Sequence, residues 1–470
     1  MKNLIKRLAS LFILSFIILS AGCGSQNGNE AENTDNSSED IAEVLDFGGY
    51  KCNIYQSAGA GGANIVESPF FYKEDTFFSD QMLGRIDTIQ NDLNCIISFE
   101  YFTDMVNPTV AQEAATGTSG AEILVTMAGT DPATMAYADL LYPLNELNSI
   151  IDYENSDKFG SAGELECAMY NGIPYSVTAA LLPEKQNYGA QPIGVFNNAI
   201  LKDYDLTDPR EYIEQKKWTW ETFEKCLQDY YIKDGEKEIK AFAMADFVFT
   251  QAAMLNNGVE LVIKDGDTLK SGLNSPNAVA AIEWQQKLLK DYKDNIMKVA
   301  WCGEAPLLKD GKCVMVLVGA WLLRNPIAYD VEDFGLFPFP SGPDGEYGKW
   351  VTSLDGIEAI SIPAVAEAPE YAAHIIDRLV DPFEGYATKD ELVDFYDTLF
   401  YDRRDSELFL SFSENARFSY FPTGGYDFVY GVQQNITSKS ATELIQTYAS
   451  KYDPVIEKYI STNYEYMSNH

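Results

Sequence analysis

Residues 123–127 read Ile-Leu-Val-Thr-Met, a short run with almost no polar break. A segment this brief and this apolar suits a strand covered on both faces, as in a parallel sheet flanked by helices. Gly129-Thr130-Asp131-Pro132 then stops it, with the residue types that make sharp turns. A helix-compatible stretch with Met135, Leu140 and Leu141 follows. The chain before this point alternates in the same way. Residues 50–56 (YKCNIYQ) read as a strand, and 80–91 as a helix with Met82, Ile86, Ile89 and Leu93 on one stripe; 95–102 read as a strand and 107–116 as a helix. The order β-α-β-α-β predicts a right-handed, doubly wound parallel sheet. Ligands of such sheets sit outside the carboxyl ends of the strands. Asp131 stands on that rim, where a charged acceptor reaches a ligand without being buried. The same residue equally suits an Asx turn or the cap of the next helix.

Further along, residues 57–64 (SAGAGGAN) are glycine-rich but lack the Gly-Lys-Ser/Thr ending of a phosphate cradle, so they read as a rim loop beside a pocket. Residues 193–196 form another short strand. Thr219 is expected to cap a helix whose Trp220, Phe223, Leu227 and Tyr230 form a core stripe. Residues 241–250 read as a strand leading into a helix at 251–257, and 264–269 as a hairpin around Asp265-Gly266. Ser275-Pro276 opens a helix that turns Trp284 toward the core. The buried strand 313–318 (CVMVLV) ends in Gly319-Ala320-Trp321, a second strand carboxyl end. Strands at 334–339 and 356–362, a helix at 369–380, an aromatic-rich loop at 418–430 (FSYFPTGGYDFVY) and a capping box at Ser440–Glu443 complete the chain.

The first residues speak to the compartment. Lys2, Lys6 and Arg7 precede an apolar run at 8–19, too short to span a membrane, which ends in Ser20-Ala21-Gly22-Cys23. This resembles a bacterial lipoprotein signal, which implies cleavage ahead of Cys23 and its lipidation. Residues 24–40 carry no aromatic side chain and are rich in Asn, Ser and acids, so they read as a disordered tether. The whole chain has 34 basic against 71 acidic residues, a formal charge of −37. Such a surface repels nucleic acid and anionic headgroups and disfavours capture of a polyanion. At 470 residues the chain exceeds what one hydrophobic core supports, so two domains are expected. Besides Cys23 there are six cysteines: Cys52, Cys95, Cys167, Cys226, Cys302 and Cys313. Their spacing matches no zinc motif. Cys52 with Cys95, or Cys302 with Cys313, can be read as disulfides or as buried thiols. No metal or cofactor is expected. With only His374 and His470, a histidine-dependent triad or metal centre is not expected either.

Taken in order, these segments resemble the extracellular solute-binding proteins of ABC importers, the sugar-binding family that includes maltose-binding protein. The resemblance runs over residues 46–470. It is carried by the 123–131 strand and loop with YADLLYPLNEL, then NGIPYSV with IGVFNN, the Thr219-Trp220-Glu221 helix start and FTQAAMLNNG. DGDTLKSGLNSPNAVAAIEW, CVMVLVGAW, FGLFPFPSGPDG and GIEAISI continue it. It implies an α/β, type II two-lobed fold, each lobe a doubly wound and mostly parallel sheet, joined by hinge segments that cross near 176–195, 335–352 and 404–418. It implies a signal at 1–22, a tether at 23–45, one lobe from 46–180 plus 355–410, and another from 185–350 plus 415–470. It also implies a monomer held at the outer face of the cell membrane by its lipid, delivering a carbohydrate to permease subunits and catalysing nothing.

Position by position, the resemblance gives Asp131 as an acceptor of sugar hydroxyls, Trp321 as a ring that stacks on a sugar, Phe249 as cleft wall and Asp246 as an acidic cleft residue. Tyr426 and Phe428 fall where the family has a further stacking aromatic, with Val429 in register. Trp350, Asp355 and Gln56 complete the candidate set, Trp350 being equally suited to packing in a hinge strand. Met127 stands nearest the place of a first-lobe tryptophan. The residue types fit the ligand class: a pyranose has apolar C–H faces for a flat ring and an edge of hydroxyls for charged acceptors. A peptide or polyol binder on the same fold, or a glycan-active enzyme with paired carboxylates, are the alternative readings.

Overall fold

The computed structural model describes the backbone of residues 45–57, 67–126, 131–180, 182–186, 189–266, 268–300, 303–323, 331, 333–354, 358–418 and 426–467. At 131, 246, 247, 418, 426, 427, 464, 465 and 467 the description stops at the backbone. The expected leader, Cys23, the tether to residue 44, the rim loop beyond Ser57, Cys302, Asp355 and His470 lie outside the described residues.

The chain begins with β1 (Tyr50–Ser57), α1 (Phe77–Leu93), β2 (Cys95–Phe102), α2 (Asn107–Thr116), β3 (Ile123–Thr126) and α3 (Asp131–Tyr137). Local chemistry sets these limits. The Thr76 hydroxyl accepts the Ser79 N–H at the start of α1, and Asn94 in the left-handed region (φ 49) ends it. The buried Phe78, Met82, Ile86, Ile89 and Leu93 fall at helical spacing along one face of α1. Gly117 (φ 69) closes α2. Next come β4 (Ser176–Thr178), β5 (Ala190–Gln191), β6 (Ile193–Asn197) and α4 (Trp220–Asp229). Thr219 occupies the N-cap of α4 without a side-chain cap bond; its backbone instead bridges to Ser341, whose carbonyl accepts the Trp220 N–H at 3.1 Å.

The chain continues as β7 (Lys237–Met244), α5 (Asp246–Leu255), α6 (Pro276–Asp291), β8 (Ile296–Lys298), α7 (Glu304–Lys309) and β9 (Cys313–Val318). The strand expected to reach residue 250 therefore stops at Met244, and the helix starts two residues later. Val262–Asp265 and Thr268–Ser271 form the expected hairpin. Ser275 caps α6, its hydroxyl accepting the Ala278 N–H at 3.3 Å. The remaining elements are β10 (Phe334–Phe337), β11 (Ser353–Leu354), β12 (Ala359–Ser361), α8 (Pro369–Leu379), α9 (Lys389–Tyr396), α10 (Arg403–Ser411), β13 (Arg417–Phe418), α11 (Tyr426–Asn435) and α12 (Ala441–Tyr448). The aromatic stretch read as a loop becomes helical at Tyr426, because Phe428, Val429 and Val432 are buried on one helical face.

Two central sheets result. The first runs β2-β1-β3-β12-β4, with β1 parallel to β2 and β3, and β12 antiparallel to β3 and β4. The second runs β8-β7-β9-β6-β10, with β7 parallel to β8 and β9, and β6 antiparallel to β9 and β10. Each sheet is mostly parallel with one reversed strand, and each has a core on both faces. On the first sheet, one core holds Ile54, Met82, Ile86, Val125 and Ile360, and the other Tyr55, Val110, Leu124 and Met135. On the second, Phe242, Phe249, Trp284 and Leu317 lie in one core, and Val195, Val316, Phe334 and Leu336 in the other. As the stripe spacing implies, Trp220 and Trp284 are buried against each other, stacked with ring centres 4.2 Å apart.

A small third sheet, β13-β11-β5, gathers the segments between the two. β5 lies between β4 of the first sheet and β6 of the second, and β11 between β10 of the second and β12 of the first. The third passage falls elsewhere than expected. Phe383 belongs to the first sheet's core, whereas Leu392, Val393, Tyr396 and Phe409 share a core with Val195 and Phe334 of the second. Leu392, Val393, Tyr396 and Phe409, in a stretch expected on the first lobe, thus pack on the second sheet, while Tyr386 and Phe395 lie against both cores. A buried ion network holds them there: Arg210 contacts Asp405 at 3.0 Å and Asp208 at 2.6 Å, while Asp405 accepts the Leu336 N–H at 3.0 Å. The cysteines Cys52, Cys95, Cys167, Cys226 and Cys313 are buried free thiols.

Candidate functional site: the carboxyl edges of the two sheets

At the carboxyl edge of the first sheet, β1 ends at Ser57 and β3 at Thr126. Ala359 at the start of the reversed β12 pairs with both Thr126 and Thr178. This register puts Glu358, just before β12, on the same rim. The polar groups here are largely used by the protein itself. The Gln56 amide, fully buried, donates to the Ser68 carbonyl at 2.8 Å and accepts the Phe70 N–H at 2.8 Å. Gln56 therefore fixes the start of the 67–72 segment, with both ends of its side chain engaged there. Ser57 donates to the Asp104 carbonyl at 2.7 Å. Lys185 donates to the Phe70 carbonyl, lies 4.8 Å from the Tyr72 ring centre and forms a buried ion pair with Glu358 at 3.4 Å. The backbone of Asp131 opens α3 on this edge; its side chain lies outside the described residues.

The second sheet's edge forms a recess. β7 ends at Met244, Ala245 leads into α5, and β9 ends at Val318 ahead of a short helical turn, Ala320–Leu322, that carries Trp321. Gln191, Ala245, Val248, Glu304, Gly319 and Trp321 line the recess together. The Trp321 ring folds back over Gly319, where an added Cβ would meet it at 2.1 Å. Only glycine permits that approach. Trp321 is partly exposed.

Glu304, the first residue of α7, is 3 % exposed at this recess. Burial pushes its carboxyl up to about 7, against the opposing pull of its own N–H and that of Ala245. Cys313 on β9 is pushed up to about 12, chiefly by burial and further by the charge of Glu304. Sequence reading did not single out Glu304, because among 71 acidic residues no local pattern marks one that the fold will bury beside a tryptophan.

The other candidates divide. Trp321 lies in the recess, and the α5 N-terminus that begins with Asp246 adjoins it through Ala245; the Asp246 side chain lies outside the described residues. Phe249 is not a cleft wall. It is fully buried, its ring packed on Phe242, Trp284 and Phe339. A strand through 241–250 would send alternate residues to the rim, but the helical turn from Asp246 rotates Phe249 to the core and leaves Val248 on the recess. Phe428 and Val429 are likewise core; Tyr426 opens α11, its side chain outside the described residues. Trp350 takes its packing role, edge-on to Tyr347 at 5.2 Å and set against both cores of the second sheet.

A family model described as bacterial extracellular solute-binding protein matches residues 99–377. Comparison with curated proteins gives no match. Among solved structures, a cyclo/maltodextrin-binding protein complexed with maltotetraose is similar, at 14 % identity and a TM-score of 0.60, over 87 % of this chain and 97 % of that one. The cyclic alpha-maltosyl-1,6-maltose binding protein from Arthrobacter globiformis is similar at 14 % identity and a TM-score of 0.61, over 87 % of this chain and 100 % of that one. The GacH receptor of Streptomyces glaucescens, solved unliganded and with acarbose, is similar at 14 % identity and a TM-score of 0.60, over 87 % and 99 %. At this identity the likeness establishes the fold alone, a two-lobed α/β arrangement.

Proposed function

This chain belongs to the bacterial extracellular solute-binding proteins, and from that premise we propose that it is the substrate-binding subunit of an ABC importer which takes a carbohydrate between its lobes. The observation that carries the reading is the Trp321 recess: a partly exposed indole beside a buried carboxyl and an amide, Glu304 and Gln191, at a strand carboxyl edge. A flat apolar ring with acceptors at its border is what a pyranose face and its hydroxyls require. Similar folds bind maltotetraose and acarbose, which supports the class of ligand and leaves its identity to experiment. Asp131, on the opposing sheet's edge, supplies hydroxyl contacts from the other lobe.

Ligand is held first by one lobe; closure about the β5-β11-β13 sheet adds the second lobe's contacts, and the closed form is the one a permease recognises. Closure is driven only as far as the closed form binds ligand better. Cys23 carries the lipid, and the acidic tether holds the lobes off the outer face of the cell membrane. The protein works as a monomer and by binding alone; His374 packs near Phe47 in the first sheet's core, not in the recess. A thermal-shift screen of the mature chain against mono- and oligosaccharides and a parallel peptide panel tests the reading. A ligand that binds only the folded state raises the melting temperature. Shifts with sugars are expected, and shifts with peptides alone would replace carbohydrate by another polar solute.

A further inference from the structure

A second cavity lies where the chain passes between the two central sheets. It holds about 590 Å³ and is lined by Gly160, Glu164, Ala180, Gln186, Leu392 and Leu410 among others. Ala180 and Gln186 belong to the passage between β4 and β5. Leu392 on α9 and Leu410 on α10 are buried in a core of the second sheet, while Phe159, next to Gly160, is buried in a core of the first. Each lobe thus supplies a wall. The volume falls in the range of small-molecule sites, which gather at such junctions.

The buried members of the lining mark the inner end, and there one polar atom is unmet. Glu164 is 7 % exposed. Its Oε2 accepts the Ser161 N–H at 2.7 Å and the Ser161 hydroxyl at 3.1 Å, within the capping box of the short helix Ala162–Cys167. Among the described residues Oε1 has no donor, and no cation pairs with the carboxyl. Burial raises the carboxyl above its ordinary value, against the pull of the two Ser161 bonds. Gly160, left-handed at φ 101, makes room for it, since an added Cβ would run into Oε2. The neighbouring Gln186 is saturated: its amide donates to the Ala180 and Leu182 carbonyls, both at 2.8 Å, and its oxygen accepts the Tyr396 hydroxyl at 2.7 Å. Ala180, Leu392 and Leu410 are apolar. Asp157 and Glu414, both exposed, stand on the rim, where Glu414 also holds Lys389 at 2.7 Å.

We propose that this cavity is a second ligand site, taking a small aliphatic amine whose ammonium donates to Glu164 Oε1 while its alkyl chain lies on Leu392 and Leu410. An ammonium supplies both the missing donor and the missing counter-charge of a buried carboxylate. A neutral hydroxyl supplies only the donor, and the charge-assisted bond is the stronger. The carboxylates on the rim favour entry of a cation over an anion. None of Trp321, Gln191 and Asp131 takes part, so the site is independent of the carbohydrate reading.

Titration calorimetry of the full mature chain at physiological salt tests it, with 1,4-diaminobutane as the probe and 1,4-butanediol as its neutral counterpart. One saturable site for the diamine is expected, with the diol binding about tenfold more weakly or not at all. Glu164→Gln keeps an acceptor for Ser161 and should lose about tenfold or more in diamine affinity. Ala180→Leu should block the cavity by bulk, and it decides should the glutamine variant fail to fold. Glu221→Gln removes an exposed charge outside the cavity and should bind the diamine unchanged, as should Trp321→Ala. Absence of a saturable site, equal binding of diamine and diol, or unchanged affinity in the cavity variants would overturn the inference. So would a loss in Glu221→Gln equal to that in Glu164→Gln, which would mark general attraction to an acidic surface. Sugar binding by the same proteins bears on the carbohydrate reading alone.

Discussion

Lys185 and Glu358 face each other inside the molecule, with side chains 7 % and 2 % exposed and 3.4 Å between charged atoms. They come from the two passages that join the sheets: Lys185 lies between β4 and β5, and Glu358 between β11 and β12. Neither oxygen of Glu358 has a hydrogen-bond donor among the described residues, so the lysine is its chief compensation. With an effective dielectric of about 20, opposite charges at this separation attract by roughly 5 kcal/mol. Most of that is offset by the cost of taking both ions out of water. The imbalance appears when one partner is removed. Lys185→Met should leave a buried carboxylate uncompensated and cost about 3–5 kcal/mol, a large part of a typical folding free energy of about 5–15 kcal/mol. The double variant Lys185→Met with Glu358→Leu removes both charges together and should come within about 1 kcal/mol of the original. Urea unfolding followed by tryptophan fluorescence, run as a double-mutant cycle, measures this directly. A single-variant loss below about 1 kcal/mol, or a double variant equal to the sum of the singles, would refute the reasoning.

Trp284→Ala should cost about 3–5 kcal/mol in the same assay, because its ring stacks on Trp220 at 4.2 Å and its indole N–H donates to Glu224 at 3.0 Å. Gly194→Ala should destabilise by about 1–3 kcal/mol through overpacking, since the new Cβ would sit 2.4 Å from the Phe337 ring and 2.5 Å from its carbonyl oxygen. Gly319→Ala should displace the Trp321 ring, which an added Cβ would approach at 2.1 Å, and lower sugar affinity in calorimetry more than it lowers the ligand-free melting temperature. Glu304 titrates near 7 in the folded chain against an ordinary 4.5, so the folded state holds a proton that the unfolded state has released between those values. Stability should therefore fall as pH rises through that window, by about 3 kcal/mol in total, and Glu304→Gln should lack that component when its unfolding is compared at pH 4.5 and pH 8.

Much of the fold was readable because its signals are local and repeated. The stripe of α1, the apolar run of β9, the Asp265-Gly266 hairpin and the Ser275 cap each lie within one element, and each specifies that element without help. Trp220 and Trp284 could be placed in a core from helical spacing alone. What failed depended on boundaries or on distant partners. The strand read through 241–250 is apolar but for Asp246 and Thr250, and such a run does not distinguish strand from buried helix; Phe249, put at a cleft wall by the resemblance, is buried in the core. Leu392, Val393, Tyr396 and Phe409 share the second sheet's core rather than the first's, because their stripe says that they bury a face, not which sheet receives it. Arg210 and Asp405, which fix that choice, are 195 positions apart. Of the candidate residues, Trp321 entered through the family resemblance, and only the fold shows that Gly319 admits its ring. Glu304 was not singled out, because its burial beside Trp321 arises only in the fold.

Calorimetric titration of the mature chain and of Trp321→Ala with maltotetraose, mannotriose and acarbose tests the central claim most directly. One saturable site for at least one sugar, weakened tenfold or more when the indole is removed and with the ligand-free melting curve kept, is the predicted result. Equal sugar binding by both proteins, or heat released only with peptides, would contradict it.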